Sequence, residues 1–232
     1  MSLPKFSLST KFNKLANKLT NETLSNYTLW RKVQQIATLP LGTSPTRKML
    51  ADLQHCWGNK SYVANLDYLE EVAHRAAIAS GPVLECGSGL TTILLGILAG
   101  RRGIDIYSLE HIPEWHALVS TKLQRFGIPR VTLFLSPLRD YGSFSWYDPP
   151  LTCLPDKFSL VVCDGPPGRV PGGRYGLLPV LKHHITSSEL ILLDDADRPG
   201  ELEVLHRWST EADVKISLKH KPAGTFAMVS CS

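Results

Sequence analysis

The stretch Val83-Leu84-Glu85-Cys86-Gly87-Ser88-Gly89-Leu90 constrains this chain more than any other. Val83–Cys86 reads as a short apolar strand and the two glycines as a tight turn. Residues 90–99 read as an apolar helix stopped by Gly100. A strand running through a glycine turn into a helix is the opening unit of an open α/β sheet. Ligands of such sheets sit at the carboxyl ends of the strands, near the point where strand order reverses. Glycine allows close backbone approach, and the helix N-terminus offers unpaired N–H groups. Without a ligand, the same residues are simply a tight strand–helix junction.

The pattern continues downstream. Further strands are expected over 105–109, 131–135, 158–163 and 190–193, and helices over 113–126, 175–185 and 199–208. Pro113 suits the first helical position and Gly127 ends that helix. Residues 136–156 read as a long loop carrying Tyr141, Phe144, Trp146 and Tyr147. Two last strands, 214–219 and 226–229, flank a turn at Pro222–Gly224. That connection is too short for a parallel crossover, so one of the two must be antiparallel. Upstream, 65–79 reads as an amphipathic helix and 46–56 as a short one. Residues 1–38 look helical in pieces, from Phe12, Leu15, Ala16 and Leu19 and from Leu29, Val33 and Ile36. The expected fold is α/β: a Rossmann-like, doubly wound, mostly parallel seven-stranded sheet with a C-terminal antiparallel hairpin. A basic helical extension, 1–60, precedes the domain, 61–232.

Composition narrows the classes. With 232 residues, 43% hydrophobic and 20% charged, the chain is neither disordered nor a disulfide scaffold. No apolar run reaches the roughly 18–20 residues of a membrane helix, so no membrane partner is expected. The net charge of +4 is unevenly spread. Residues 1–60 carry nine Lys and Arg against two acids, a balance of +7, and 61–232 carry sixteen against nineteen, a balance of −3. The basic segment would suit nucleic acid or an acidic partner; a helical lid over a substrate pocket is the preferred reading. Five cysteines without a Cys-x-x-Cys pair fit a reducing compartment, and with no secretory signal the expected location is cytoplasmic.

The dinucleotide fingerprint would place a third glycine where this chain has Thr92. Glu85 at the strand end would repel a pyrophosphate but can accept hydrogen bonds from an ammonium group. Glu110 ends the second strand, about twenty residues on, where a carboxylate can accept from both ribose hydroxyls. Glu85-x-Gly87-x-Gly89, Glu110 and Asp164 together resemble the class I S-adenosylmethionine-dependent methyltransferases, over about residues 60–232. The resemblance implies S-adenosyl-L-methionine as cofactor. It implies that Gly87, Ser88, Gly89 and Thr91 lie against its methionine part, with Glu85 near the ammonium end. It implies Glu110 at the ribose, His111 or Ile112 beside the adenine, and Leu138 near the adenine's other side, with Asp164 also in the cofactor-binding set.

Asp164 ends strand four and Asp194-Asp195 end strand five, so the three carboxylates should open onto one crevice. Such a cluster needs a cation or a shared proton. The arrangement resembles the catechol O-methyltransferase type, which implies magnesium held by Asp164, Asp194 and Asp195. Two departures stand out: that type has Asp-Asn where this chain has Asp194-Asp195, and a lysine base that is missing from Gly165–Arg169. In the other reading Asp195 or Asp197 caps the next helix and no metal binds. The candidate catalytic residues are Asp164, Asp194 and His183, with His184 as an alternative base. Arg169, Arg174 and Tyr175 are placed to bind an acidic group. The expected activity is methyl transfer to an oxygen or nitrogen of a small-molecule acceptor, with a homodimer left open. The alternatives are an RNA or protein methyltransferase recruited through the basic segment, a nucleotide-binding oxidoreductase, and a non-catalytic binding protein of the same fold.

Overall fold

A computed structural model describes residues 24–58, 63–185 and 190–231. Its strands are β1 (Val83–Cys86), β2 (Ile106–Glu110), β3 (Val131–Leu135), β4 (Leu138–Asp140), β5 (Ser145–Tyr147), β6 (Leu160–Cys163), β7 (Leu190–Leu193), β8 (Val214–Lys221) and β9 (Gly224–Cys231). Seven of them form one sheet in the order β3-β2-β1-β6-β7-β9-β8. β3, β2, β1, β6 and β7 run parallel, and β9 is antiparallel to both of its neighbours. The strand order reverses between β1 and β6. There Cys86 pairs with Leu109 on one side and Cys163 on the other, and Cys163 pairs with Leu193. The strand ends are therefore level, and Gly87, Glu110, Asp164 and Asp194 fall along one edge.

The helices are α1 (24–37), α2 (Arg47–Trp57), α3 (Leu66–Ile78), α4 (Leu90–Leu98), α5 (Pro113–Phe126), α6 (Leu177–Val180) and α7 (Pro199–Glu211). Thr46 caps α2 by accepting from the Met49 N–H, and Asn65 caps α3 in the same way from Tyr68. Helices this short are not stable alone and are held by the faces they bury. One sheet face, with Val83, Ile106, Val162 and Leu192, packs against α1 to α5 through Leu29, Leu50, Val72, Ile93 and Val119. The other, with Leu84, Val161 and Ile191, lies under Trp146, Tyr147, Leu177 and Trp208. Burying each large apolar side chain contributes about 1.5–3 kcal/mol, so these two layers dominate the stability.

Three expectations change. The region 136–156 is not all loop: β4 and β5 form a small antiparallel hairpin, which packs its aromatics on the sheet where a crossover helix would lie. The helix expected over 175–185 shrinks to a 3-10 turn, Gly173–Gly176, followed by α6. Pro179 removes a donor there and its ring crowds the preceding turn. The closing strands are longer than expected, and β9 is the one inside the sheet, an order the sequence leaves open. Phe12, Leu15, Ala16 and Leu19, with most of the basic charge of the first segment, lie outside the described residues. Among the described residues no helix is long and apolar enough to cross a membrane.

Candidate functional site

The β1 turn is built tightly. Gly87 has φ +94°, and a Cβ there would lie 3.0 Å from the Gly165 nitrogen, so the turn after β1 packs directly on the loop after β6. Beneath the turn, Glu85 is fully buried. Its Oε2 accepts from the Thr92 hydroxyl at 2.6 Å and from Ser108, while Thr92 Oγ1 accepts from the Gly89 N–H at 2.8 Å. Burial pushes the Glu85 carboxyl up to about 7. Strand alternation turns Val83 and Glu85 toward α4 and Leu84 and Cys86 toward the other face. Glu85, expected near an ammonium group, braces the turn from below and is not among the residues lining the cavity over these strand ends. Thr91, buried in the first turn of α4, and Gly89 are also absent from the lining.

Glu110 ends β2 with both carboxylate oxygens engaged. Oε2 accepts from the Ser88 N–H at 3.2 Å and the Ser88 hydroxyl at 2.9 Å; Oε1 accepts from the N–H groups of His111 and Ile112 at 2.8 and 2.9 Å. Burial alone would raise this carboxyl, but the hydrogen bonds from His111, Ile112 and Ser88 outweigh it and hold it below its ordinary value.

A cavity of about 940 Å³ opens over these strand ends. Its lining joins Gly87, Ser88, Glu110, His111 and Ile112 to Trp115 and Leu118 of α5, and continues to Asp164, Asp194 and Asp195. Asn65 and Thr225 close the far wall. Tyr147 also lines it, and its hydroxyl is buried without a hydrogen-bond partner among the described residues. No lining residue comes from 24–58, so the described part of the N-terminal segment forms no lid.

The acids converge as the register requires. One carboxylate oxygen from each of Asp164, Asp194 and Asp195 lies within 4.8 Å of the others. Among them sits Arg174, whose side chain is 2% exposed. Its Nη2 donates to the Asp164 carbonyl at 2.8 Å, to Asp164 Oδ1 at 3.0 Å and to Asp195 Oδ2 at 3.2 Å. Its Nη1 donates to the Asp194 carbonyl and lies 3.5 Å from Glu201 Oε1. Asp195, at φ +56°, also meets Arg198 at 2.7 Å. Burial raises the Asp164 carboxyl to about 6 in spite of Arg174. Burial, with the charges of Asp164 and Asp195, holds Asp194 well above the usual carboxylate range.

These residues do not fit a divalent cation. Two of the three carboxylates each give one oxygen to a guanidinium that its carbonyl partners fix in place. Arg174 already supplies a positive charge among these carboxylates, and a divalent ion there would be repelled by it. The magnesium expected at Asp164, Asp194 and Asp195 would thus compete with Arg174, itself expected at a substrate's acidic group, which does line the cavity.

Other expected residues lie elsewhere. His183 is exposed in the turns after α6, outside the cavity, because that helix ends at Val180. His184 contacts the Pro155 carbonyl, and Tyr175 stacks under Arg207. Leu138 begins β4 and packs at the edge of the aromatic layer, not in the cavity. Arg169 does line the cavity. Sequence reasoning missed Asn65, Glu201 and Thr225 as parts of the site; only the capping preference of Asn65 left a signal.

No protein-family model matches the chain, and no curated protein matches it in sequence. Solved structures do resemble it. An O-methyltransferase from Bacillus cereus, in complex with SAH, is 14% identical over 86% of this chain and 96% of that one, with a TM-score of 0.55. The O-methyltransferase TomG from Streptomyces achromogenes, in complex with SAM, is 13% identical over 84% and 93%, with a TM-score of 0.54. A ribosomal protein L11 methylase from Lactobacillus delbrueckii subsp. bulgaricus is 16% identical over 75% and 80%, with a TM-score of 0.51. At these identities the likeness is one of fold: the chain has the class I methyltransferase fold.

Proposed function

We propose that this chain binds S-adenosylmethionine over the β1 turn and transfers its methyl group to an oxygen or nitrogen of a small-molecule acceptor. The observation that supports this best is the one cavity shared by Ser88, Glu110 and the acids after β6 and β7. On this reading a carboxylate that would bind the sugar and one that would accept the proton share one space. The neighbours in complex with SAM and SAH support the choice of cofactor.

Glu110 would hold the ribose, its Oε2 accepting from a sugar hydroxyl in place of Ser88. His111 and Ile112 would flank the adenine. Glu85 acts at a distance, fixing the turn through Thr92. When bound, the cofactor supplies an electrophilic methyl group. The protein supplies alignment, exclusion of water and a place for the acceptor's proton. Asp164 Oδ1 is held by Arg174, while Oδ2 makes no hydrogen bond among the described residues and can take that proton. The carboxylates are hydrogen-bond acceptors when ionised, so they suit an acceptor that carries hydroxyl or amine donors.

Calorimetry with S-adenosylmethionine, S-adenosylhomocysteine and NAD tests this reading, repeated on Glu110→Ala with the unfolding midpoint read alongside. The expected result is binding of the first two, none of NAD, and at least a tenfold loss in the variant. Absence of binding by both sulfur compounds overturns it.

A further inference from the structure

We infer that Arg174 is the resident cation of the acid cluster, standing where an acid cluster of this kind would otherwise take a divalent metal. Arg174 is therefore a positioning residue for Asp164, and methyl transfer here needs no metal. The second clause rests on the methyltransferase reading; the first does not.

The bonding of Arg174 goes beyond that of a chance ion pair. It reaches the backbone carbonyls of Asp164 and Asp194, which end neighbouring strands, and the carboxylates of Asp164 and Asp195. It also faces Glu201 in the first turn of α7, which is itself 3% exposed. One planar group thus ties the ends of β6 and β7 to α7 with several donors in fixed directions, as only a guanidinium can. Magnesium demands near-octahedral oxygen coordination at about 2.0–2.1 Å and keeps several waters. One oxygen each of Asp164 and Asp195 already accepts from Arg174, and the carbonyls of Asp164 and Asp194 hold the guanidinium among the acids. The same anchoring fixes Asp164 Oδ1, while Oδ2 makes no hydrogen bond among the described residues.

Removing the guanidinium should expose the latent metal site. The test is Mn2+ titration of the full chain at neutral pH, followed by the electron paramagnetic resonance of free Mn2+, on wild type, Arg174→Gln, Arg174→Lys and Asp194→Asn. Wild type and Arg174→Lys should show no saturable binding. Arg174→Gln should bind Mn2+ at least tenfold more tightly than wild type, and should lose that binding when Asp194→Asn is added. Methyl transfer by wild type should be unchanged by EDTA, and Arg174→Lys should retain more of it than Arg174→Gln. Saturable Mn2+ binding by wild type that Asp194→Asn abolishes overturns the inference, even if Arg174→Gln does not fold. A folded Arg174→Gln that binds no Mn2+ overturns it as well. The titration uses no methyl donor, so its outcome is independent of whether S-adenosylmethionine binds.

Discussion

Asn65 and Asp194 stand 129 positions apart, and the Asn65 amide donates to Asp194 Oδ1 at 2.8 Å. The same side chain accepts from the Tyr68 N–H at 2.9 Å and so starts α3. One residue fixes both a helix start and a wall of the acid cluster. Asn65→Asp separates these roles, because aspartate caps a helix as well as asparagine does. Its carboxylate cannot donate to Asp194 and repels the cluster. We expect Asn65→Asp to lose about 1–3 kcal/mol at neutral pH and to recover as acid protonates the new carboxylate. Urea unfolding at neutral and acidic pH reads this. Equal stability of the two proteins at neutral pH would sink the idea.

Glu85 makes a second pH-dependent prediction. Its carboxyl is near 4.5 unfolded and about 7 folded, raised by burial. The folded state therefore binds the proton more tightly between these values, and stability falls as pH rises from about 4.5 through 7. At about 1.4 kcal/mol per unit, the full loss is about 3 kcal/mol. Glu85→Gln keeps an oxygen for Thr92 and Ser108 and cannot ionise. Its stability should therefore decline less than that of wild type over this range. Parallel denaturation curves at each pH would count against the assignment.

The sequence makes part of this site legible and hides the rest for physical reasons. Glycine and proline punctuate α4 and α5 so clearly that Pro113–Phe126 is expected and found. Parallel strands with level ends turn a linear order of acids into one cluster, so the meeting of Asp164 with Asp194 is legible too. The direction of Glu85 is not, because a strand buried on both faces shows no polar alternation from which to read it. Arg174 follows a Gly/Pro-rich loop, in a 3-10 turn too short for periodicity, so only the fold brings it under Asp164. β4 and β5 have three residues each, too few for alternation to show.

Gly87 allows a test of the turn itself. Gly87→Ala would put a Cβ 3.0 Å from the Gly165 nitrogen at φ +94°, both unfavourable. Strain of this kind costs about 1–3 kcal/mol. Gly89→Ala is the control: an added Cβ meets nothing within 4 Å and its φ of 171° is ordinary extended backbone. Thermal unfolding should separate the two, with Gly87→Ala lower. A Gly89→Ala protein that is equally destabilised would mean the turn is not held as described.

Asp164 carries the proposed proton transfer, and its raised carboxyl sets a direction. Only the ionised form can accept a proton, so kcat/KM should rise with pH through about 6 and then level. Because Asp164 and Asp194 interact closely, the limb reports the pair, not one carboxyl. Asp164→Asn keeps an oxygen for Arg174 and a similar shape, so cofactor affinity should stay within a few fold. Removing a positioned base typically costs about 10²–10⁴ in rate, and the acidic limb should flatten with it. The measurements are a pH–rate profile and a cofactor titration on both proteins. A variant that loses cofactor affinity in step with rate would make Asp164 a binding residue. One that keeps both the rate and the limb would move proton acceptance elsewhere in the cavity.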